Sequence, residues 1–350
     1  MKLLISGASS WSIWKFRKNL IHYLARKDFE LLFYLKDENF LKKILKKYNF
    51  FKSYNFIDFI SLWKVISNYK VKVVLEYDLK NLIKHKILRL IYKRYNIIII
   101  WAGLGNWYNL KGNFNFLETF FLKFLLKECN KVILINNLDY KIVKNYKLHP
   151  NLDYINTEGF NYSNVLKYNF KNKTSYKFVS AFRPIKSKGI YELINAAIKF
   201  PEHKFYIYTV ENNKKIKYNS KNINLNIIKN YKNIFLNGIV DDFEKELSKY
   251  DCLISASYGE GFGMSIAEAV NNYVPVISTN VSGPKSVFKN NSMIFIKAKN
   301  NQSLIQGINI FLRKSLKEKT NMVLNAKNDL KKIDNLKIYK KIEKFINEIS

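Results

Sequence analysis

Residues 251–269 read DCLISASYGEGFGMSIAEA, and the order of residue types along them decides the fold. DCLISAS (251–257) is a short apolar run of the kind that forms a buried strand. YGEGFG (258–263) follows, with glycines at 259, 261 and 263, and MSIAEA (264–269) opens a helical pattern. Strand, glycine turn and helix in that order make half of a βαβ unit. Such a turn leaves backbone N–H groups at the helix start, where the helix dipole adds positive potential, so it suits a phosphate or a sugar hydroxyl. Glu260, on the loop beside Gly261, can face a transferred sugar. Glu268, about a turn into the helix, can accept hydrogen bonds from two ribose hydroxyls. The plain alternative is a strand–turn–helix with two surface glutamates.

The same alternation extends in both directions. KLLIS (2–6), ELLFYL (30–35), KVVLEY (72–77), IIIIWA (97–102) and KVILIN (131–136) read as buried parallel strands. Helical patterns at 14–26, 38–48, 79–94 and 115–128 lie between them. YKFVSAF (176–182), KFYIYTV (204–210), IFLNGI (234–239) and VPVIST (274–279) complete a second set around 251–257. With 350 residues, this predicts two α/β domains with parallel sheets. The first spans 1–160 and the second 176–334, with a polar linker at 161–175 and a final helix at 335–350.

Composition narrows the class. The two cysteines, Cys129 and Cys252, are too few for a disulfide framework or thiolate metal site and fit a reducing compartment. No signal-peptide pattern opens the chain and no apolar run reaches membrane-spanning length, so a cytoplasmic protein is expected, with peripheral attachment to the inner face of a plasma membrane open. The net charge of +33 invites a polyanion partner. Residues 1–160 carry 28 Lys+Arg against 12 Asp+Glu (+16), and residues 161–350 carry 32 against 15 (+17). Charge this evenly spread, with no recognisable binding module, argues against nucleic acid.

A second chemical stretch is SAFRPIKSKGIYELINAA (180–197), which places Arg183 and Lys188 on one loop before Gly189 and a helix. Two cations there suit a diphosphate leaving group, Arg as a planar fork and Lys as a point charge. Together with Pro275-Val276-Ile277 and Ser282-Gly283-Pro284, these stretches resemble the retaining family-4 glycosyltransferases of the GT-B fold across roughly 176–290. The resemblance implies two Rossmann-like domains facing across a cleft. It also implies that Arg183 and Lys188 hold the donor diphosphate, Glu268 the ribose and Glu260 the donor sugar. Gly261 is a further donor-binding position, and the backbone at Phe262, Gly263 and Met264 touches sugar and phosphate. Three positions depart from the pattern: Ala256 for Pro, Tyr273 for Gly and Ser286 for Glu.

SGASSWSIWKFRKNLI (6–21) and AGLGNWY (102–108) resemble bacterial transferases that extend undecaprenyl-diphosphate-linked glycans, N-acetylgalactosaminyltransferases among them. This implies donor contact at Gly7 and acceptor contact at Lys80, Gly103 and Gly105. Where many family-4 enzymes carry a histidine, this chain reads LEYDLK (75–80), leaving Glu76 and Asp78 as the nearest carboxylates and no assigned base. His22, His85, His149 and His203 read as structural or exposed.

The expected function is retaining transfer of a hexose or N-acetylhexosamine from a nucleotide-sugar to a glycan, on a polyprenyl diphosphate at a bacterial membrane. No metal or other cofactor is expected, because no Asp-x-Asp occurs and Asp241 and Asp242 are adjacent. Two amphipathic stretches, 37–51 and 113–127, suit an anionic membrane surface as well as a packed core. A sugar-nucleotide epimerase and a non-enzymatic polyanion-binding protein are the alternatives.

Overall fold

The computed structural model describes residues 1–7, 9–36, 48–52, 59–160, 162, 170–209, 231–240 and 242–350. The chain divides into two compact units. Unit 1 comprises Met1–Leu104, Asn113–Asn161 and Ile333–Ser350; unit 2 comprises Gly105–Gly112 and Tyr162–Lys332.

Among the described residues, unit 1 is built on seven parallel strands: β1 (Lys2–Gly7), β2 (Glu30–Leu35), β3 (Asn49–Lys52), β4 (Val73–Glu76), β5 (Asn96–Trp101), β6 (Lys131–Leu134) and β7 (Leu152–Tyr154). Their order is β3-β2-β1-β4-β5-β6-β7. β1, β4, β5 and β6 are buried on both faces, which is why their sequences are near-continuous Val, Ile and Leu. The crossover helices are α1 (Ser10–Ala25), α2 (Phe59–Asn68), α3 (Leu82–Leu88), α5 (Phe116–Leu126) and α6 (Asn137–Asn145), while α4 (Gly105–Lys111) belongs to unit 2. The chain leaves β1 toward β2 but returns to place β4 on its other side. This switch point opens between the loops after β1 and β4, where such sheets bind ligands.

Two expectations change here. The helical pattern 79–94 resolves into a 3-10 turn (Leu79–Asn81) and the short α3. The chain then turns at 89–91, where the Arg89 guanidinium reaches back to the Tyr95 carbonyl at 2.7 Å and the Asn130 amide oxygen at 3.2 Å. The amphipathic stretch 37–51 ends in strand β3, paired with β2 from Asn49; its residues 37–47 lie outside the described residues.

The last helix, α13 (Asn335–Glu348), packs in unit 1. Lys341 bonds Asp153 at 2.7 Å and the Tyr154 carbonyl at 2.8 Å. Tyr23 donates to Glu343, and burial together with that carboxylate pushes its phenol up to about 12. Gly159 has φ +107°, and a Cβ there would lie 2.2 Å from the Tyr339 hydroxyl, so only glycine fits under α13.

Unit 2 holds β8 (Lys177–Ala181), β9 (Lys204–Tyr208), β10 (Ile234–Asn237), β11 (Cys252–Ser255), β12 (Val276–Thr279) and β13 (Ile294–Ile296), all parallel in the order β10-β9-β8-β11-β12-β13. Its helices are α7 (Ile190–Lys199), α8 (Phe243–Glu246), α9 (Met264–Asn271), α10 (Ser282–Val287), α11 (Asn301–Arg313) and α12 (Leu316–Lys331). Phe178 stacks on Phe205 at 5.0 Å and meets Phe311 edge-on at 5.7 Å, centring a core between sheet and helices. Here the switch point lies between β8 and β11, so the loops carrying Arg183–Lys188 and Ser257–Gly263 are neighbours.

Candidate active site

The loop after β8 runs through Arg183 into a 3-10 turn, Lys186–Lys188, and ends at Gly189 in the left-handed region with φ +72°. Gly189 lies so close to the loop after β11 that a Cβ would sit 2.1 Å from the Ala256 carbonyl oxygen. The Tyr258 N–H donates to the Ser187 carbonyl at 2.8 Å, and the two loops are stitched together. Ala256, where the family pattern has proline, is thus a small residue under Gly189.

This stitching brings Lys188 to Glu260. The lysine ammonium donates to Glu260 Oε1 at 2.5 Å, and the Ser257 hydroxyl donates to the same oxygen at 2.6 Å. Both side chains of the ion pair are about one-fifth exposed, so the pair is open to solvent on one side. The loop is fixed from below as well. Gly283 N–H donates to the Glu260 carbonyl at 3.0 Å, and Thr279 donates to the Ser257 carbonyl at 2.6 Å. A Cβ on Gly283 would lie 2.6 Å from the Glu260 carbonyl oxygen, which explains the glycine of the Ser282-Gly283-Pro284 turn.

Gly263, at φ +90°, starts α9, and no side chain caps that helix. Phe262 is buried, between Gly261 and Gly263, which are buried as well. Gly261 and Met264 flank this helix start. Arg183 is exposed on the same loop as Lys188, and Glu268 is buried one turn into α9. The structure therefore gathers Arg183, Lys188, Glu260, Gly261 and Gly263 on two adjoining loops at one end of the sheet. The arrangement pairs a lysine with a carboxylate and adds the positive end of a helix. It can receive a group bearing both hydroxyls and phosphate.

The other departures have local explanations. Ser286 Oγ donates to the Gly283 carbonyl at 2.7 Å inside α10. Tyr273 adopts φ +57°, a conformation usually left to glycine, and Lys327 lies 4.5 Å over its ring.

In unit 1, Gly7 ends β1, Lys80 is exposed after β4, and Gly103, at φ +146°, follows β5, all at the carboxyl edge of the sheet. Gly105, at φ +77°, starts α4 and groups with unit 2. There Lys299 donates to the Leu110 carbonyl at 2.6 Å, and the Asn109 amide lies against Gly259, within 2.2 Å of where a Cβ would be. Sequence reasoning missed this packing of Asn109 beside the Glu260 loop, and it missed Ser257. A serine at the end of an apolar strand was the only available signal for the latter.

Glu76 is fully buried. Its Oε1 accepts from the N–H groups of Tyr77 at 2.9 Å and Asp78 at 2.8 Å and from Asn81 at 3.2 Å, and His85 lies 3.3 Å from Oε2. That network shapes the loop after β4 and leaves Glu76 no access to a substrate proton. Asp78 caps the Leu79–Asn81 turn through the Lys80 N–H at 3.0 Å and pairs with Lys36 at 3.3 Å. Of the other histidines, His149 has Nε2 3.0 Å from the Cys129 carbonyl and accepts the Asn151 N–H on Nδ1 at 3.1 Å, His203 packs among Tyr176, Phe178 and Phe200, and His22 lies exposed against Trp14.

The two glutamates should separate kinetically. If Glu268 grips ribose throughout the reaction, Glu268→Gln raises donor KM with little change in kcat, the mark of uniform binding. If Glu260 addresses the reacting sugar, Glu260→Gln lowers kcat more. Steady-state kinetics with the opposite pattern would reverse the assignment.

Residues 164–329 match the family model of glycosyl transferases group 1. No curated protein matches the chain in sequence. Solved structures of similar fold include a glycosyltransferase from Rickettsia africae ESF-5, 16% identical over 99% of this chain and 98% of that one, with a TM-score of 0.71. The Anabaena protein HepE in complex with UDP-glucose is 15% identical over 99% of this chain and 100% of that one, with a TM-score of 0.76. The lipopolysaccharide outer core galactosyltransferase WaaB is 13% identical over 99% of both chains, with a TM-score of 0.65. Residues 164–329 thus form a glycosyl transferases group 1 domain within a GT-B fold of two Rossmann-like units, and the protein is a glycosyltransferase.

Proposed function

We propose that the protein is a retaining, family-4-type transferase that moves a hexose or N-acetylhexosamine from a UDP-sugar to a glycan. Unit 2 takes the donor and unit 1 the acceptor, a glycan on a polyprenyl diphosphate at the inner face of a bacterial membrane. The observation that carries the donor half is the Lys188–Glu260 contact on two loops stitched together at the switch point of unit 2. HepE, crystallised with UDP-glucose, and WaaB, a lipopolysaccharide galactosyltransferase, supply the analogy for donor and acceptor class. The narrower likeness to N-acetylgalactosaminyltransferases rests on residues 6–21 and 102–108.

In the reaction, the bond from the anomeric carbon to the diphosphate oxygen breaks as the acceptor hydroxyl attacks from the same face. The acceptor proton passes to the departing phosphate oxygen. This route asks for no protein base, in keeping with the burial of Glu76. The negative charge growing on the diphosphate is met by Arg183, Lys188 and the N-terminus of α9, the electrostatic effect that dominates such catalysis. As the diphosphate draws Lys188, Glu260 is released toward the sugar.

Because cationic side chains take the place of a divalent ion, activity should survive EDTA. Among the described residues, no group of three or more His, Cys, Asp or Glu is placed to hold a metal. Incubating the protein with a panel of UDP- and GDP-sugars, with and without EDTA, and measuring released nucleotide tests the proposal. Release of UDP from at least one donor in both conditions is expected. No release from any donor would refute the function, and loss restored by Mn²⁺ or Mg²⁺ would refute the site chemistry.

A further inference from the structure

Most of the exposed apolar side chains of unit 1 lie in one helix layer, Trp11 of α1 and Leu336 of α13 lying outside it. β1 leads to β2 in one direction along the sheet, and β4 leads to β5 and β6 in the other. Right-handed crossovers therefore put α3 and α5 on the face opposite α1. α3 packs against both α2 and α5. Ile60 and Trp63 of α2 are exposed on this layer, while Leu90 and Ile91, exposed in the turn after α3, lie at its far end by the amino edge of the sheet.

α5 carries most of the apolar surface. Leu122, Leu125 and Leu126 face the core. The opposite arc presents Phe116 and Leu117, 82% and 73% exposed, then Phe120 and Phe124. The charges on that arc are Lys123 and Lys127, both exposed. The helix's one acid, Glu118, is tied into a capping box with Asn115, accepting from its N–H at 3.0 Å. Glu128, just beyond, is paired with Lys86 at 2.6 Å. Lys64 beside Trp63 is exposed and adds to the same sign.

Exposed apolar side chains clustered on one arc of α5 mark an interaction surface on a globular unit. Aromatic and leucine side chains rimmed by lysine fit the interface of an anionic bilayer, where the rings enter the headgroup boundary and each Lys gains attraction to acidic lipid. At 11 residues, α5 is about 16 Å long and far too short to span ~30 Å of hydrocarbon. No helix among the described residues is long and apolar enough to cross a membrane. The orientation also fits. Crossover helices run antiparallel to the strands, so α5 begins at the carboxyl edge of the sheet with its two most exposed apolar residues. Gly7, Lys80 and Gly103 lie on that edge.

We propose that the α2–α3–α5 layer of unit 1 is a docking surface for an anionic lipid leaflet, holding the carboxyl edge of its sheet toward the membrane. The surface stands on exposure and charge alone; only its use in reaching a lipid-linked acceptor rests on the function proposed above. The test is flotation of the full chain with vesicles of phosphatidylglycerol and phosphatidylcholine, or of phosphatidylcholine alone. The wild type should float with the first and much less with the second. Phe116→Ser/Leu117→Ser/Phe120→Ser should cut binding at least tenfold with unchanged melting, because these side chains support no core. Ile239→Ser/Ile310→Ser, exposed apolar positions of unit 2, should bind as wild type. Equal binding by both variants, or no binding to anionic vesicles at 50 mM salt, overturns the proposal. So does a dimer in light scattering that the triple variant abolishes without any vesicle binding, since the occupant is then a second copy. UDP release from a soluble donor reads the function separately and should not change in the triple variant.

Discussion

Replacing Lys188 by alanine should lower kcat by ~10²–10³-fold while circular dichroism and melting stay close to wild type. Negative charge accumulates on the donor diphosphate as the glycosidic bond breaks, so a cation there stabilises the transition state more than the bound substrate. Losing one such contact typically costs about 3–4 kcal/mol. The structure adds a coupling that separates this residue from the many solvated lysines of the chain. Lys188 bonds Glu260 at 2.5 Å, so its removal also leaves that carboxylate held by Ser257 alone among the partners described. Lys188→Ala and Glu260→Gln should therefore be non-additive, the double variant being less impaired than the product of the single effects. Steady-state kinetics on the four proteins decides it. A near-normal kcat for Lys188→Ala, or strict additivity, would remove the pair from the mechanism.

Gly189→Ala should be the most damaging small change in unit 2. Two costs combine. The residue sits at φ +72°, where a Cβ alone costs about 1–2 kcal/mol. The added carbon would also lie 2.1 Å from the Ala256 carbonyl oxygen and 2.6 Å from its carbonyl carbon. Backbone must move to relieve that, at about 1–3 kcal/mol. The movement pulls on the Ser187–Tyr258 bond that joins the two site loops. Gly112→Ala is the matched control, with φ +86° and no atom within 4 Å of its Cβ, so it carries the backbone cost only. Urea unfolding should give a clearly larger loss for Gly189→Ala than for Gly112→Ala. Equal losses would mean that the contact with Ala256 relaxes without cost.

The sheets were legible where strands are buried on both faces, because burial demands runs such as IIIIWA and KVILIN. β3, β7 and β13 escaped notice. They are three or four residues long and sit at sheet edges, too short for a periodic signal. The helical pattern through 79–94 misled because its apolar spacing continues past Leu88. What stops the helix is a distant partner, Asn130, together with Tyr95 on Arg89. Residue type, spacing and the resemblance to family-4 transferases drew attention to Arg183, Lys188, Glu260 and Glu268. Their mutual contact was not readable, since Lys188 and Glu260 are 72 residues apart and meet only because β8 and β11 are neighbours. For the same reason the sequence offered Glu76 as a carboxylate near a missing histidine, whereas two backbone amides and Asn81 bury it. Asn109 carries no local signature and Ser257 only its place at the end of an apolar strand, so both emerge from tertiary packing.

The central claim is that the loops after β8 and β11 grip the diphosphate of the donor. Calorimetric titration of UDP into the protein in EDTA tests it most directly, with GDP in parallel. The account predicts metal-independent UDP binding that weakens at least tenfold in Arg183→Ala/Lys188→Ala, with unchanged melting. UDP and GDP both failing to bind, or binding equally well to wild type and the double variant, would contradict it.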